Sequence, residues 1–212
     1  MGAHKSSIGV ATSKTLESGS WTDHGSLDIP EGDYNLIDPY VFQDDKPDTP
    51  MYFTFGSYWS GIQQIEMNHV DQLRSYDSAA SSVKNVIRNN TMDYAVVEGS
   101  TTHKHDNYYY NFFSVGQCCR EDKTNLAPAG DEYHVAVCRS EHATGPYADR
   151  DGKDCLKDNG GTTILGSHDD VYAPGGGELM LDPKTHRWVI YYHYGEFELR
   201  GCNMEYHHTD FL

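Results

Sequence analysis

The sequence predicts an all-β protein made of repeated units of the β-propeller kind, and three observations carry that expectation. Short aromatic and β-branched runs bounded by Gly, Asp, Asn and Pro occur along nearly the whole chain, their order recurs, and the front of the chain matches the end of a later unit. The clearest runs are MYFTFGSYW (51–59), NYYYNFFSVG (107–116), YHVAVCRS (133–140) and WVIYYHYG (188–195). One stretch, DSAASSVKNVIRN (77–89), is a helical candidate, but its Ser content and weak apolar period make it a poor one.

The recurrence is visible when the runs are set in order. LIDPYVF is followed by MYFTFGS and GIQQIEM; AVVEGST by YYYNFFSVG and YHVAVCRS; and DVYAPGGGELM by WVIYYHYG. Units this long fit four-stranded propeller blades with variable loops. The front segment SSIGVATSKTLESGSWTDHGSL follows the plan of YHVAVCRSEHATGPYADRDGKDCL. Val10 and Val137, Ser13 and Ser140, Gly19 and Gly145, Trp21 and Tyr147, and Asp23 and Asp149 correspond. The predicted division of this single domain is therefore 1–29 as the second half of a blade, 30–75 and 90–150 as blades, and 160–212 as a last, atypical one. Such a chain begins inside a repeat and is expected to expose an unpaired strand edge.

Composition narrows the function. With 212 residues and 37% hydrophobic content the chain can bury a sizeable core. A net charge of -16 and only 16 Lys and Arg argue against nucleic acid, whose phosphates need a concentrated basic face. The 16 tyrosines suit both a sugar-binding surface and ordinary β-sheet. No apolar run approaches the length of a membrane helix, so no membrane partner is expected. MGAHKSSIGVATS has no apolar segment to act as a signal peptide, yet five cysteines and the Asn89–Thr91 sequon are at home in a secreted protein. A start that is not the ancestral one reconciles the two. Cys138 and Cys155 flank a loop and can bridge in an oxidising compartment; adjacent Cys118 and Cys119 either form a vicinal disulfide or remain thiols, and Cys202 has no obvious partner.

In SSIGVATS, SWTDHGS, YNLIDP, FGSYW, VEG, NYYYNFFSVGQCC, EYHVAVCRS, GTTILGSHDDVYAPGGGELM and YYHY, taken in order, the sequence resembles the fungal endo-arabinanases of glycoside hydrolase family 43. The resemblance fades after Gly195. It implies a five-bladed propeller, present here as about three and a half blades and truncated at the N-terminus, that hydrolyses α-1,5-linked arabinan with inversion. Such chemistry needs one protonated carboxyl for the leaving oxygen and one carboxylate to activate water on the opposite face of the sugar. A third acid nearby helps the first keep its proton.

Carried over residue by residue, the resemblance makes Glu98 in VVEGS the general acid and Asp38 in LIDP the residue that tunes and orients it. The general base belongs to a His-Asp-Pro motif that this sequence lacks. Asn35, Leu36, Ile37, Ser57, Tyr58 and Trp59 match segments lining the arabinose subsites. His168 matches a histidine that helps hold a metal ion, usually calcium, in the central channel. The family has Pro two residues after the acid where this chain has Ser100. Secretion is likewise implied only by the resemblance, and the oligomeric state is left open.

Plainer readings stand beside each assignment. Asp before Pro opens many turns, Glu98 fits a solvated strand edge, Trp59 fits a core, and a lone histidine is usually a satisfied polar residue. The glycines of APGGGE allow close backbone approach or a bulged turn. Without a base, the alternative functions are a non-catalytic sugar-binding propeller fragment and an inactive truncated product.

Overall fold

The computed structural model describes residues 6–44, 49–67, 83–90, 96–117, 126–128 and 130–196, and the backbone of a strand at Thr209–Asp210. Cys118, Cys119, Cys202 and Thr91 of the sequon lie outside the described residues. Every regular element described is a strand. They are β1 (Gly9–Thr12), β2 (Thr22–Ser26), β3 (Tyr40–Gln43), β4 (Met51–Phe55), β5 (Ile62–Met67), β6 (Lys84–Ile87), β7 (Val97–His105), β8 (Tyr108–Val115), β9 (His134–Ser140), β10 (Thr162–Leu165), β11 (Val171–Leu181), β12 (Trp188–Glu196) and β13 (Thr209–Asp210).

These strands form four antiparallel sheets in chain order: β1–β2, β3–β4–β5–β6, β7–β8–β9–β10 and β11–β12–β13. Neighbours in sequence are neighbours in each sheet, so each is a simple meander. Aromatic and β-branched residues dominate the inner strands: in β4, Met51, Phe53 and Phe55 are buried, and in β8, Phe113 and Val115 are. Strand β6 corrects the one helical candidate over the part described. Val86 and Ile87 are adjacent apolar residues rather than residues at helical spacing, and Ile87 pairs with Ile62 while both are fully buried.

The apolar residues segregate into three layers, each between consecutive sheets. Ile8 and Leu27, flanking the first sheet, meet Met51, Phe53, Phe55, Ile65 and Met67 of the second. Ile62, Val86 and Ile87 of the second meet Val97, Phe113, Val115 and Ala136 of the third. Val135 and Leu165 of the third meet Ile190, Tyr192 and Tyr194 of β12. Burying each such side chain contributes roughly 1.5–3 kcal/mol before conformational entropy is counted.

The predicted correspondence between the chain's front and its third sheet has a counterpart in pairing. Thr12 pairs with Thr22, and Arg139, the residue aligned with Thr12, pairs with Ala148, the residue aligned with Thr22. The preceding aromatics differ in environment: Tyr147 is 1% exposed in the middle layer and Trp21 is 52% exposed. Cys138 on β9 and Cys155 in the loop before β10 form a disulfide, as their positions allowed.

Candidate active site

Asp38 stands just before β3 with a left-handed backbone, φ 54°, a conformation Asp tolerates better than most residues. Its loop is tied to the end of β4 by the Gly56 amide, which donates to the Ile37 carbonyl at 2.9 Å. Glu98 lies near the start of β7, paired with Ser114 of β8. Immediately after it the ladder shifts register as far as Thr101, and Gly99 takes φ 62°. The bulge bends the strand and leaves Glu98 half-buried, at the end of a sheet, instead of within its ladder.

Four groups converge here. Ser57, fully buried two residues after the end of β4, donates its hydroxyl to Glu98 Oε2 at 2.7 Å. Tyr133, 2% exposed and directly before β9, donates its hydroxyl to Glu98 Oε1 at 2.7 Å. The Gly99 amide donates to Asp38 Oδ2 at 3.3 Å, so the acid on one loop grips the backbone next to the acid on the other strand. Burial, then the negative charge of Glu98, raises the pKa of Asp38, while the Gly99 hydrogen bond opposes the rise. Three of the expected residues, Asp38, Ser57 and Glu98, are thus brought together from three different elements.

The remaining expected residues surround or leave this centre. Asn35 is 3% exposed. Leu36 packs its side chain on the first apolar layer, and Ile37 contributes its carbonyl to the loop contact above. Tyr58, at φ 66°, and half-buried Trp59 form the turn after Ser57, closed by the Gly61 amide donating to the Tyr58 carbonyl. His168 is elsewhere: it is exposed in the turn between β10 and β11, its Nδ1 2.9 Å from the Gly166 carbonyl of the same turn.

Two residues that the sequence pattern did not single out reach the acid. Tyr133 is one. The other is His193 of β12, whose ring stacks on Tyr133 with centroids 5.9 Å apart and planes 20° apart. Burial lowers the His193 pKa and the nearby charge of Glu98 partly offsets this. Both were read only as strand aromatics, and the available signal was the APGGGE run. A Cβ at Gly175 would stand 1.8 Å from the Tyr133 ring, and one at Gly176 would stand 2.4 Å from His193. The same glycines also mark register shifts in β11, so both readings of that run describe one feature.

Calcium takes six to eight oxygen ligands, and no group of three or more His, Cys, Asp or Glu side chains converges as a metal site among the described residues. His168 with one backbone carbonyl does not fit that donor set, and no step below is routed through a metal.

The fold and site together are those of an all-β protein with paired carboxylates held at the ends of adjacent sheets. The chain belongs to the glycosyl hydrolases family 43, whose model matches residues 1–209. It is 42% identical over 198 residues to the probable arabinan endo-1,5-alpha-L-arabinosidase C of Aspergillus niger, and 43% identical over 196 residues to the probable arabinan endo-1,5-alpha-L-arabinosidase A of Emericella nidulans. These alignments cover 92% and 91% of this chain, and the chain spans 58% of the length of each relative. Among solved structures, the family 43 endo-arabinanase of Bacillus licheniformis superposes with a TM-score of 0.76 at 25% identity, covering 99% of this chain and 65% of that one.

Proposed function

We propose that this chain carries the acid half of an inverting arabinan endo-1,5-α-L-arabinosidase site, with its sheets as blades of an incomplete five-bladed propeller. The single observation behind it is the Glu98 carboxyl, clamped by one hydroxyl on each oxygen beside a second carboxylate, Asp38. The relatives' names supply the substrate class, and a chain of α-1,5-linked arabinose is the ligand expected. In a Michaelis complex Glu98 donates its proton to the leaving glycosidic oxygen. Asp38, whose carboxylate accepts the Gly99 amide next to the acid, takes the tuning and orienting role that the resemblance gives it. Ser57 and Tyr133 fix the plane of the Glu98 carboxyl, and Trp59 offers a ring face to a sugar. The Cys138–Cys155 bond supports residence in an oxidising compartment.

The base that activates water is the role of the family's His-Asp-Pro motif, which has no match in this sequence. The second reading is a module that binds arabino-oligosaccharides without cutting them. Incubation with linear 1,5-arabinan, with chromatography of the products, separates the two. Under the first reading short oligosaccharides accumulate and Glu98→Gln slows their release by about 10²-fold or more, the range for loss of a general acid. Binding without products supports the second reading, and cleavage that persists in Glu98→Gln removes Glu98 from the acid role.

A further inference from the structure

We propose that Tyr133 is the positioning residue for the Glu98 carboxyl, and that the Gly175–Gly176 step of β11 is the seat for the Tyr133–His193 stack that holds it. The proposal rests on the reading of Glu98 as the acid. The geometry closes on itself through five elements. Glu98 of β7 pairs with Ser114 of β8, and the Ser114 hydroxyl accepts the Gly176 amide at 2.8 Å, tying β11 to the strand beside the acid. Gly175 pairs with His193 of β12, and His193 stacks on Tyr133, which donates to Glu98.

The step between Gly175 and Gly176 is the one place in this ring where side chains are excluded by space. Each residue would drive its Cβ into one member of the stack, and Gly176 also holds φ 60°, where an L side chain is strained. The stack matters chemically because it fixes a hydroxyl without adding a cation. Burial keeps His193 toward the neutral form, so the ring that backs Tyr133 brings little positive charge to the carboxyl. Asp38, Tyr133 and His193, from the segments before β3 and β9 and from β12, are titratable groups that interact with Glu98.

The test reads the titration of Glu98 and needs no turnover. The chain is labelled with glutamate carrying 13C at the carboxyl, and Glu98→Gln assigns the Glu98 resonance by deleting it. Tyr133→Phe keeps the ring and its stack and removes only the hydroxyl. Removing the hydroxyl that is hydrogen-bonded to one oxygen of the carboxyl is expected to displace the Glu98 midpoint from the parent's by about one pH unit, or tenfold in the proton equilibrium. His193→Ala, which leaves the tyrosine ring without its stacking face, is expected to move the midpoint in the same direction by less. A midpoint in Tyr133→Phe equal to the parent's overturns the positioning role. A parent-like midpoint in His193→Ala overturns the seat. A residue that served the fold alone would change the melting temperature and leave the titration in place. If Glu98→Gln cuts arabinan as fast as the parent, the acid assignment falls while the coupling of Tyr133 to Glu98 is judged separately.

Discussion

Asp38 is a residue the fold holds at a cost. Its folded pKa is raised above the ordinary carboxylate value of 3.8, first by burial and then by the charge of Glu98. In the window between 3.8 and the raised value the native state binds more protons than the unfolded chain, so stability falls as pH rises through it and stays reduced above it. Asp38→Asn keeps an oxygen to accept the Gly99 amide and tolerates the left-handed backbone, but carries no charge. The variant is expected to melt higher than the parent at pH 7, with the difference vanishing below about pH 3.8; melting curves across pH 3–8 check this, and a parent-like curve at pH 7 would remove the electrostatic strain from the site. Asp38 and Glu98 were legible through the family resemblance, carried by LIDP and VVEGS, whereas their local context alone reads as a turn opener and a strand edge. Tyr133 and His193 were not, because what distinguishes them from other strand aromatics is a contact between β12 and the segment before β9, about 60 residues apart.

Strand β7 does two things along its length, and its second half carries a separate pH dependence. Beyond the bulge that presents Glu98, His103 packs its ring 5.6 Å from Trp188 of β12, 6.1 Å from Phe112 of β8 and 6.0 Å from Tyr40 of β3. Its Nε2 is 3.8 Å from Glu178 Oε1, beyond hydrogen-bond reach, and burial pulls its pKa down to about 4 from 6.5. The folded protein therefore holds a neutral imidazole that the unfolded chain protonates. Stability is fully present above 6.5 and declines as pH falls toward 4, by on the order of 3 kcal/mol in total. His103→Phe keeps an aromatic ring between the three strands and removes the proton site. It is expected to flatten the dependence of melting temperature on pH between 6.5 and 4, and an unchanged slope there would assign the acid sensitivity to other groups. Strands β6 and β10 escaped the sequence pattern for a related reason: KNVI and TTIL are four residues each, too short and too mixed for a period to register. Pairing with an already long neighbour in the same sheet defines them.

For the molecule as a whole, the order of sheets along the chain is also the order of its apolar layers, which is why the recurrence of runs was readable before any contact was known. A repeat whose faces are buried only by its neighbours must stack, and each layer here is contributed by two consecutive sheets. The register of the stack was less readable, since the sequence places Trp21 and Tyr147 at equivalent points and only one of them is buried. Layering has an energetic consequence. Ile87 and Phe113 share the layer between the second and third sheets, whereas Phe53 belongs to the layer between the first and second. Substitutions that touch through a shared layer redistribute the same space, so their costs couple; those in different layers meet only through a sheet, and their costs add. Ile87→Val and Phe113→Leu are mild enough to leave the chain folded, each costing on the order of 1 kcal/mol. Denaturant unfolding of the singles and doubles is expected to give a coupling above about 0.5 kcal/mol for Ile87→Val with Phe113→Leu, and additivity within about 0.5 kcal/mol for Phe53→Leu with Phe113→Leu. Coupling of the second pair as large as the first would mean that the layers form one continuous core, and that the repeat seen in the sequence does not divide the energetics of the fold.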